Sequence, residues 1–169
     1  MGLIRTRCAL LLGEAGLERT RGGFPPLRHR ASSGILETAM SEADVRIVRG
    51  MWEAFQRRDF SSSLAAFDPA IEWDGTNLPD GKVSRGIDAV VDHTRRWAEM
   101  WEGWEVELED VIDAGGGRVI AFTRERGHSK SGLEMEERHS ELYVVNDGKI
   151  VYRKGFSDAD EALVEAGLR

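Results

Sequence analysis

Cysteine is almost absent from this chain: its 169 residues include one, Cys8. A single thiol excludes an internal disulfide and fits a reducing compartment, so the cytoplasm is the expected location. Long apolar runs are also missing. None approaches the roughly 20 residues a membrane helix needs, and no membrane partner is expected. Positive charge is in deficit, with 23 Lys and Arg against 30 Asp and Glu for a net charge of −7. That balance gives nucleic-acid binding no electrostatic support. Four His and one Cys show no zinc-type ligand spacing, and His128 and His139 stand isolated. There is no P-loop and no nucleophile elbow. Gly115-Gly116-Gly117 lies between strand patterns rather than opening a helix, so it reads as a hairpin and not a phosphate cradle. Neither a metal nor a cofactor is expected.

What is present is an ordinary globular mixture, 41% hydrophobic and 31% charged, enough for one domain with one core. Charge is unevenly spread: residues 1–39 carry about +3 and the rest about −10. The first stretch, with Arg19, Arg21, Gly22, Gly23, Pro25, Pro26, Arg28 and Arg30, shows no sustained period. Residues 1–39 are therefore expected to be a disordered tail or a spurious extension ahead of an initiator at Met40. The domain is expected to span residues 40–169.

Within it the hydrophobic period changes twice. Ser41 reads as an N-cap, and Val45, Val48, Trp52 and Phe55 recur at three and four residues, predicting a helix to about Arg58. A short helix opens at Asp59, and Ala70–Asp74 reads as a short strand before a turn-rich loop. From Gly86 the helical period returns through Ile87, Val90, Thr94, Trp97 and Trp101, ending at Gly103. The pattern then switches to period two. Trp104–Leu108, Arg118–Arg126, Glu134–Val145 and Lys149–Phe156 read as four strands joined by short turns, and Asp158–Ala166 as a last helix. Hairpin-joined strands after a run of helices predict an α+β fold with an antiparallel meander.

That order resembles the ketosteroid-isomerase-like, or SnoaL-like, family of the nuclear-transport-factor-two-like superfamily. The resemblance rests on Phe55-Gln56-Arg57-Arg58-Asp59-Phe60, Leu64–Asp74, Gly86-Ile87-Asp88-Ala89-Val90, Asp147-Gly148-Lys149-Ile150-Val151 and Phe156-Ser157-Asp158. It implies a cone-like α+β roll, a curved antiparallel sheet wrapped around three N-terminal helices to leave a pocket. It also implies pairing into homodimers through the outer sheet face.

The resemblance aligns Asp74 with the isomerases' catalytic base, and desolvation beside Trp73 would raise its pKa for that role. Asp before Gly at a strand end is equally a plain turn former. Glu137, His139, Glu141 and Tyr143 share one face of one strand by alternation. Aligned on Gly148-Lys149, Glu141 falls near the isomerases' oxyanion donor, with His139 as the other polar candidate. Either this face lines the pocket, or it faces outward and Glu136, Arg138, Ser140 and Leu142 point in. Met51 stands where those enzymes carry a donor Tyr, and Met cannot donate, which argues against steroid isomerisation as such. His93 lies at the edge of its helix's apolar stripe, a structural or surface place. Five Trp make an apolar cavity plausible. Trp52, Phe55, Trp73, Trp97, Trp101, Tyr143 and Phe156 are the candidate ligand contacts.

Two functions follow. One is an isomerase, cyclase or dehydratase working without a cofactor by acid–base chemistry on a small hydrophobic carbonyl compound. It requires Asp74 and Glu141 to converge across an enclosed pocket. The other is a non-catalytic module for ligand binding or dimerisation.

Overall fold

The computed structural model describes residues 34–77 and 81–169. The expected N-terminal extension lies outside the described residues as far as residue 33. Helix α1 spans Gly34–Gln56, so it begins seven residues ahead of Ser41. Ser41 is thus no N-cap; its hydroxyl bonds Asp113 on a strand opposite. Helix α2, Phe60–Ala65, is capped by Asp59, whose carboxylate accepts the Ser62 N–H at 3.1 Å. Strand β1 (Phe67–Asp74), the short β2 (Val83–Arg85) and helix α3 (Ile87–Met100) follow. Gly86 precedes α3 at φ 86°, a conformation that favours glycine. Then come β3 (Trp101–Gly115), β4 (Arg118–Ser129), β5 (Glu134–Asn146), β6 (Lys149–Phe156) and α4 (Ala159–Glu165). Trp101 opens β3 and does not close α3 as its spacing from Trp97 suggests.

The six strands form one open sheet in the order β2-β1-β6-β5-β4-β3. β3 to β6 make the expected antiparallel meander, with β2 antiparallel to β1. The sheet is nevertheless mixed. β1 pairs in parallel with β6, placing Trp73 beside Arg153 and Asp74 beside Lys154. Hairpin logic alone cannot reveal such a pair, because β1 and β6 lie far apart in sequence.

Two apolar clusters sit on opposite sides of the sheet. On the concave side, Val48, Met51 and Trp52 of α1 and Val90 of α3 pack on Ile71, Trp73, Val119, Ala121, Tyr143 and Ile150. On the convex side, Ala162 and Ala166 at α4 cover Ile120, Leu142 and Phe156. Strand β5 is therefore buried on both faces along its second half, which explains why its sequence orients so poorly.

One irregularity decides what faces where. Val145 pairs with Ile150 but Val144 pairs with Tyr152, leaving Val151 as an extra residue, a β-bulge. Counting by twos from Ile150 puts Tyr152 and Phe156 on the concave side. The bulge reverses this and turns Arg153 inward. Phe156, expected as a ligand contact, accordingly lies under α4.

The turn between β3 and β4 is equally constrained. Gly115, Gly116 and Gly117 all have positive φ, and a Cβ on Gly117 would stand 2.6 Å from the Val145 carbonyl oxygen. Gly148, at φ 76°, has nothing within 4 Å of its would-be Cβ. Gly148→Ala should cost about 1–2 kcal/mol for backbone conformation alone, and Gly117→Ala about 1–3 kcal/mol more, since the Val145 backbone must give way. Urea unfolding of the two variants measures the difference; equal costs would refute the steric account.

Candidate functional site

The concave face combines polar and aromatic side chains. From β5 it takes His139, Glu141 and Tyr143, and from β4, across the ladder, Thr123, Ala121 and Val119. Glu125 follows on the same face of β4, and Arg153 joins from β6 opposite Tyr143. Trp52 and Phe55 approach from α1, Trp97 and His93 from α3, and Trp101 and Trp104 from β3.

At its centre Glu141, 4% exposed, holds two donors. One carboxylate oxygen accepts the Tyr143 hydroxyl and the other an Arg153 N–H. The Arg153 guanidinium lies 3.7 Å from the centre of the Trp73 ring, on which it stacks. The Trp73 ring also meets His93, 4.2 Å between centroids. Burial, and next the Glu141 charge, lift the Tyr143 hydroxyl well above the usual phenol range, so it stays a donor.

Glu125, 8% exposed, is a second buried carboxylate. Its Oε2 accepts the indole N–H groups of Trp97 and Trp104, each at 2.9 Å. Burial raises its pKa, while nearby His139 and the indole donors pull it partly back. Five interior polar atoms on this face complete no hydrogen bond: Trp52 Nε1, Trp101 Nε1, Thr123 Oγ1, His139 Nε2 and Arg153 Nε. His139 Nε2 stands 3.4 Å from Glu137 Oε2 but out of line for one. Trp52 Nε1–H points toward the Tyr143 hydroxyl oxygen, which can accept from it.

The structure thus brings together Glu141, His139, Tyr143, Trp52, Phe55, Trp73, Trp97 and Trp101. Glu137 shares their face but lies at its exposed end. Asp74 is elsewhere. Alternation along β1 turns Trp73 inward and Asp74 outward, where it accepts from Tyr152 at 3.0 Å and stands 4.0 Å from Lys154 Nζ. Lys154 is in turn bound to Glu165 of α4 at 3.0 Å. Asp74 and Glu141 therefore do not converge. Nor is the Asp74 pKa raised: burial acts in that direction, but Thr76, Tyr152 and Lys154 outweigh it and hold the carboxyl below its ordinary range. Its hydrogen bond to the Thr76 N–H at 2.9 Å is the turn-forming role.

Residues 48–153 match the SnoaL-like domain, more than half the chain. The chain belongs to the SnoaL-like family. Uncharacterised proteins of Mycobacterium tuberculosis and Mycobacterium bovis are 34% identical to it over 128 residues, 74% of this chain and 95% of theirs. Among solved structures it is similar to an NTF2-like protein of Burkholderia thailandensis, with a TM-score of 0.62 and 31% identity over 75% of this chain and 97% of that one. It shares its fold with a Mycobacterium tuberculosis protein crystallised in complex with estradiol-17beta-hemisuccinate, with a TM-score of 0.57 and 18% identity over 70% and 95%. The SnoaL-like fold of this chain is thus an NTF2-like one. Among the described residues no helix is long and apolar enough to cross a membrane.

Sequence reasoning passed over Glu125 and Arg153. Glu125 was within reach, because it continues the alternating series Val119, Ala121 and Thr123 on one face. Arg153 was not, because the bulge at Val151 shifts its parity.

The buried Glu125 makes stability depend on pH. Its carboxyl binds a proton more tightly folded than unfolded, so its stabilising share is complete below about pH 4.3, the ordinary Glu value. That share declines as pH rises through the raised folded value. Glu125→Gln should flatten this decline in urea midpoints between pH 4 and 7. An unchanged slope would mean that Glu125 is not the group responsible.

Proposed function

We propose that the protein binds a small hydrophobic molecule carrying an acceptor oxygen on its concave face and acts on it with its own side chains as acid and base. The reaction class is isomerase, cyclase or dehydratase, and the substrate a carbonyl compound. One observation carries this reading: three ionisable groups, Glu125, His139 and Glu141, share a face closed over by aromatic rings, where Trp101 Nε1, Thr123 Oγ1 and Arg153 Nε are buried without a hydrogen bond. Such a surface suits an apolar body with a few polar points. The steroid ester held by the Mycobacterium tuberculosis fold neighbour sets the size class worth testing.

His139 is the proposed proton carrier, since imidazole both gives and takes a proton near neutral pH. Glu125 balances its charge. Glu141 fixes Arg153 and Tyr143 as donors across the face. Asp74 has no part in this chemistry. Simple holding of a ligand is the second reading. It is favoured by one fact: both oxygens of Glu141 and one of Glu125 are already engaged by protein donors.

The two readings separate in one experiment. Steroid ketones, tetralones and naphthoquinones are screened by thermal shift. A ligand at a hundred times its Kd should stabilise by about 2.7 kcal/mol. Exchange of the proton beside the carbonyl is then followed in D2O for each enolisable ketone that binds. The expected result is exchange well above buffer, falling about a hundredfold or more in His139→Gln while binding persists. Asp74→Asn should leave both unchanged. Binding with exchange no faster than in buffer would establish the holding reading, and no binding at all would sink both.

A further inference from the structure

The concave face buries two carboxylates, Glu125 and Glu141, and one guanidinium. Glu141 and Arg153 answer each other, and Arg153 Cζ lies 3.7 Å from the centre of the Trp73 ring. A carboxylate on one side and an indole face on the other is how this interior holds a cation.

Glu125 has the carboxylate and the indoles but no such partner. Its Oε2 takes the N–H groups of Trp97 and Trp104, and its Oε1 accepts from no group among the described residues. Among the same residues no Lys or Arg stands over either of those two rings. His139 is near enough for its charge to act on Glu125, but its Nε2 stands 3.4 Å from Glu137 instead. With imidazole neutral, Glu125, Glu141 and Arg153 sum to one negative charge.

A buried carboxylate held only by neutral donors is costly to keep ionised, and an apposed cation offsets that cost. The surroundings select the kind of cation. An inorganic ion needs several oxygen ligands and would find one carboxylate among indoles, which offer none. An ammonium group on a hydrophobic body needs ring faces and one counter-charge. An indole that donates its N–H to a carboxylate is polarised by it, which makes its face more attractive to a cation. Trp97 and Trp104 both do so, and the Trp101 ring stands beside Trp97, 6.2 Å between centroids. All three indoles are half-buried, so solvent reaches the cluster while Glu125 itself is buried.

We propose, on the ligand-binding reading above, that Glu125, Trp97 and Trp104 form a subsite for an organic cation, so that the ligand of the concave face carries an ammonium group besides its acceptor oxygen. Glu125 then meets the ligand's charge, and His139 is left to take a proton from the substrate.

Three ketones that differ in one substituent test this by calorimetry at pH 8.0. They are 4-acetylphenyltrimethylammonium, its uncharged isostere 4-tert-butylacetophenone, and the anion 4-acetylbenzoate. The wild-type protein should bind the ammonium ketone about tenfold or more tightly than the tert-butyl ketone, and 4-acetylbenzoate most weakly. Glu125→Gln keeps an acceptor oxygen for the two indoles and removes the charge. It should weaken the ammonium ketone about tenfold or more, and change the tert-butyl ketone less than about threefold. Equal wild-type affinities for those two ketones overturn the subsite while ligand binding stands. So does tighter binding of 4-acetylbenzoate, or an undiminished preference for the ammonium ketone in folded Glu125→Gln. The wild-type comparison decides even where the variant does not fold. Failure of all three ketones to bind counts against the ligand-binding reading itself and removes this inference with it.

Discussion

A buried guanidinium is hard to accommodate, and the concave side of this sheet is arranged around one. Isolated, the Arg153 charge would carry a desolvation penalty of several kcal/mol. Glu141 meets it with one oxygen, Tyr143 occupies the other oxygen, and Trp73 covers the guanidinium plane. These partners come from three adjacent strands, so β1, β6 and β5 must keep their relative register for the group to close. A buried pair of this kind adds little net stability compared with apolar packing, although breaking it is costly.

The bulge at Val151 makes that arrangement available. It lets one strand present Ile150 and Arg153 to the same side, three residues apart instead of two or four. The same shift sends Tyr152, Lys154 and Phe156 to the convex side. There Asp74, Lys154 and Glu165 tie the end of β1 to the C-terminal helix. Two ionisable clusters thus sit back to back across one sheet, one bound up in holding α4 and the other gathered among indole rings.

Much of this was legible in the sequence. The helical stripe through Val48 and Trp52, the switch to period two after Gly103, and the Asn146-Asp147-Gly148 turn place the helices and the meander. Asp147 and Gly148 indeed take positive φ at that turn. Local signals also misled. Ser41 has cap chemistry but stands within a longer helix, and the four-residue step from Trp97 to Trp101 spans a helix end. Asp74 belongs to the outer face by the alternation of Ile71 and Trp73 with Glu72, a signal that opposes its alignment with the isomerases' base. The parity of Arg153 and the β1–β6 pairing were beyond reach, because each depends on a non-local register that no window of sequence carries.

That parallel pairing has a consequence for how the domain forms. Phe67 lies opposite Ile150, and Trp73 opposite Arg153, contacts closed across some eighty residues of intervening chain. During synthesis β1 emerges early and has only the three-residue β2 beside it until β6 appears. An amphipathic strand waiting with one unpaired edge is exposed to wrong pairings, and closing so long a loop is slow. The sheet can therefore be completed only after β6 has left the ribosome, and helices α1 and α3 are the elements at hand to shelter Ile71 and Trp73 until then.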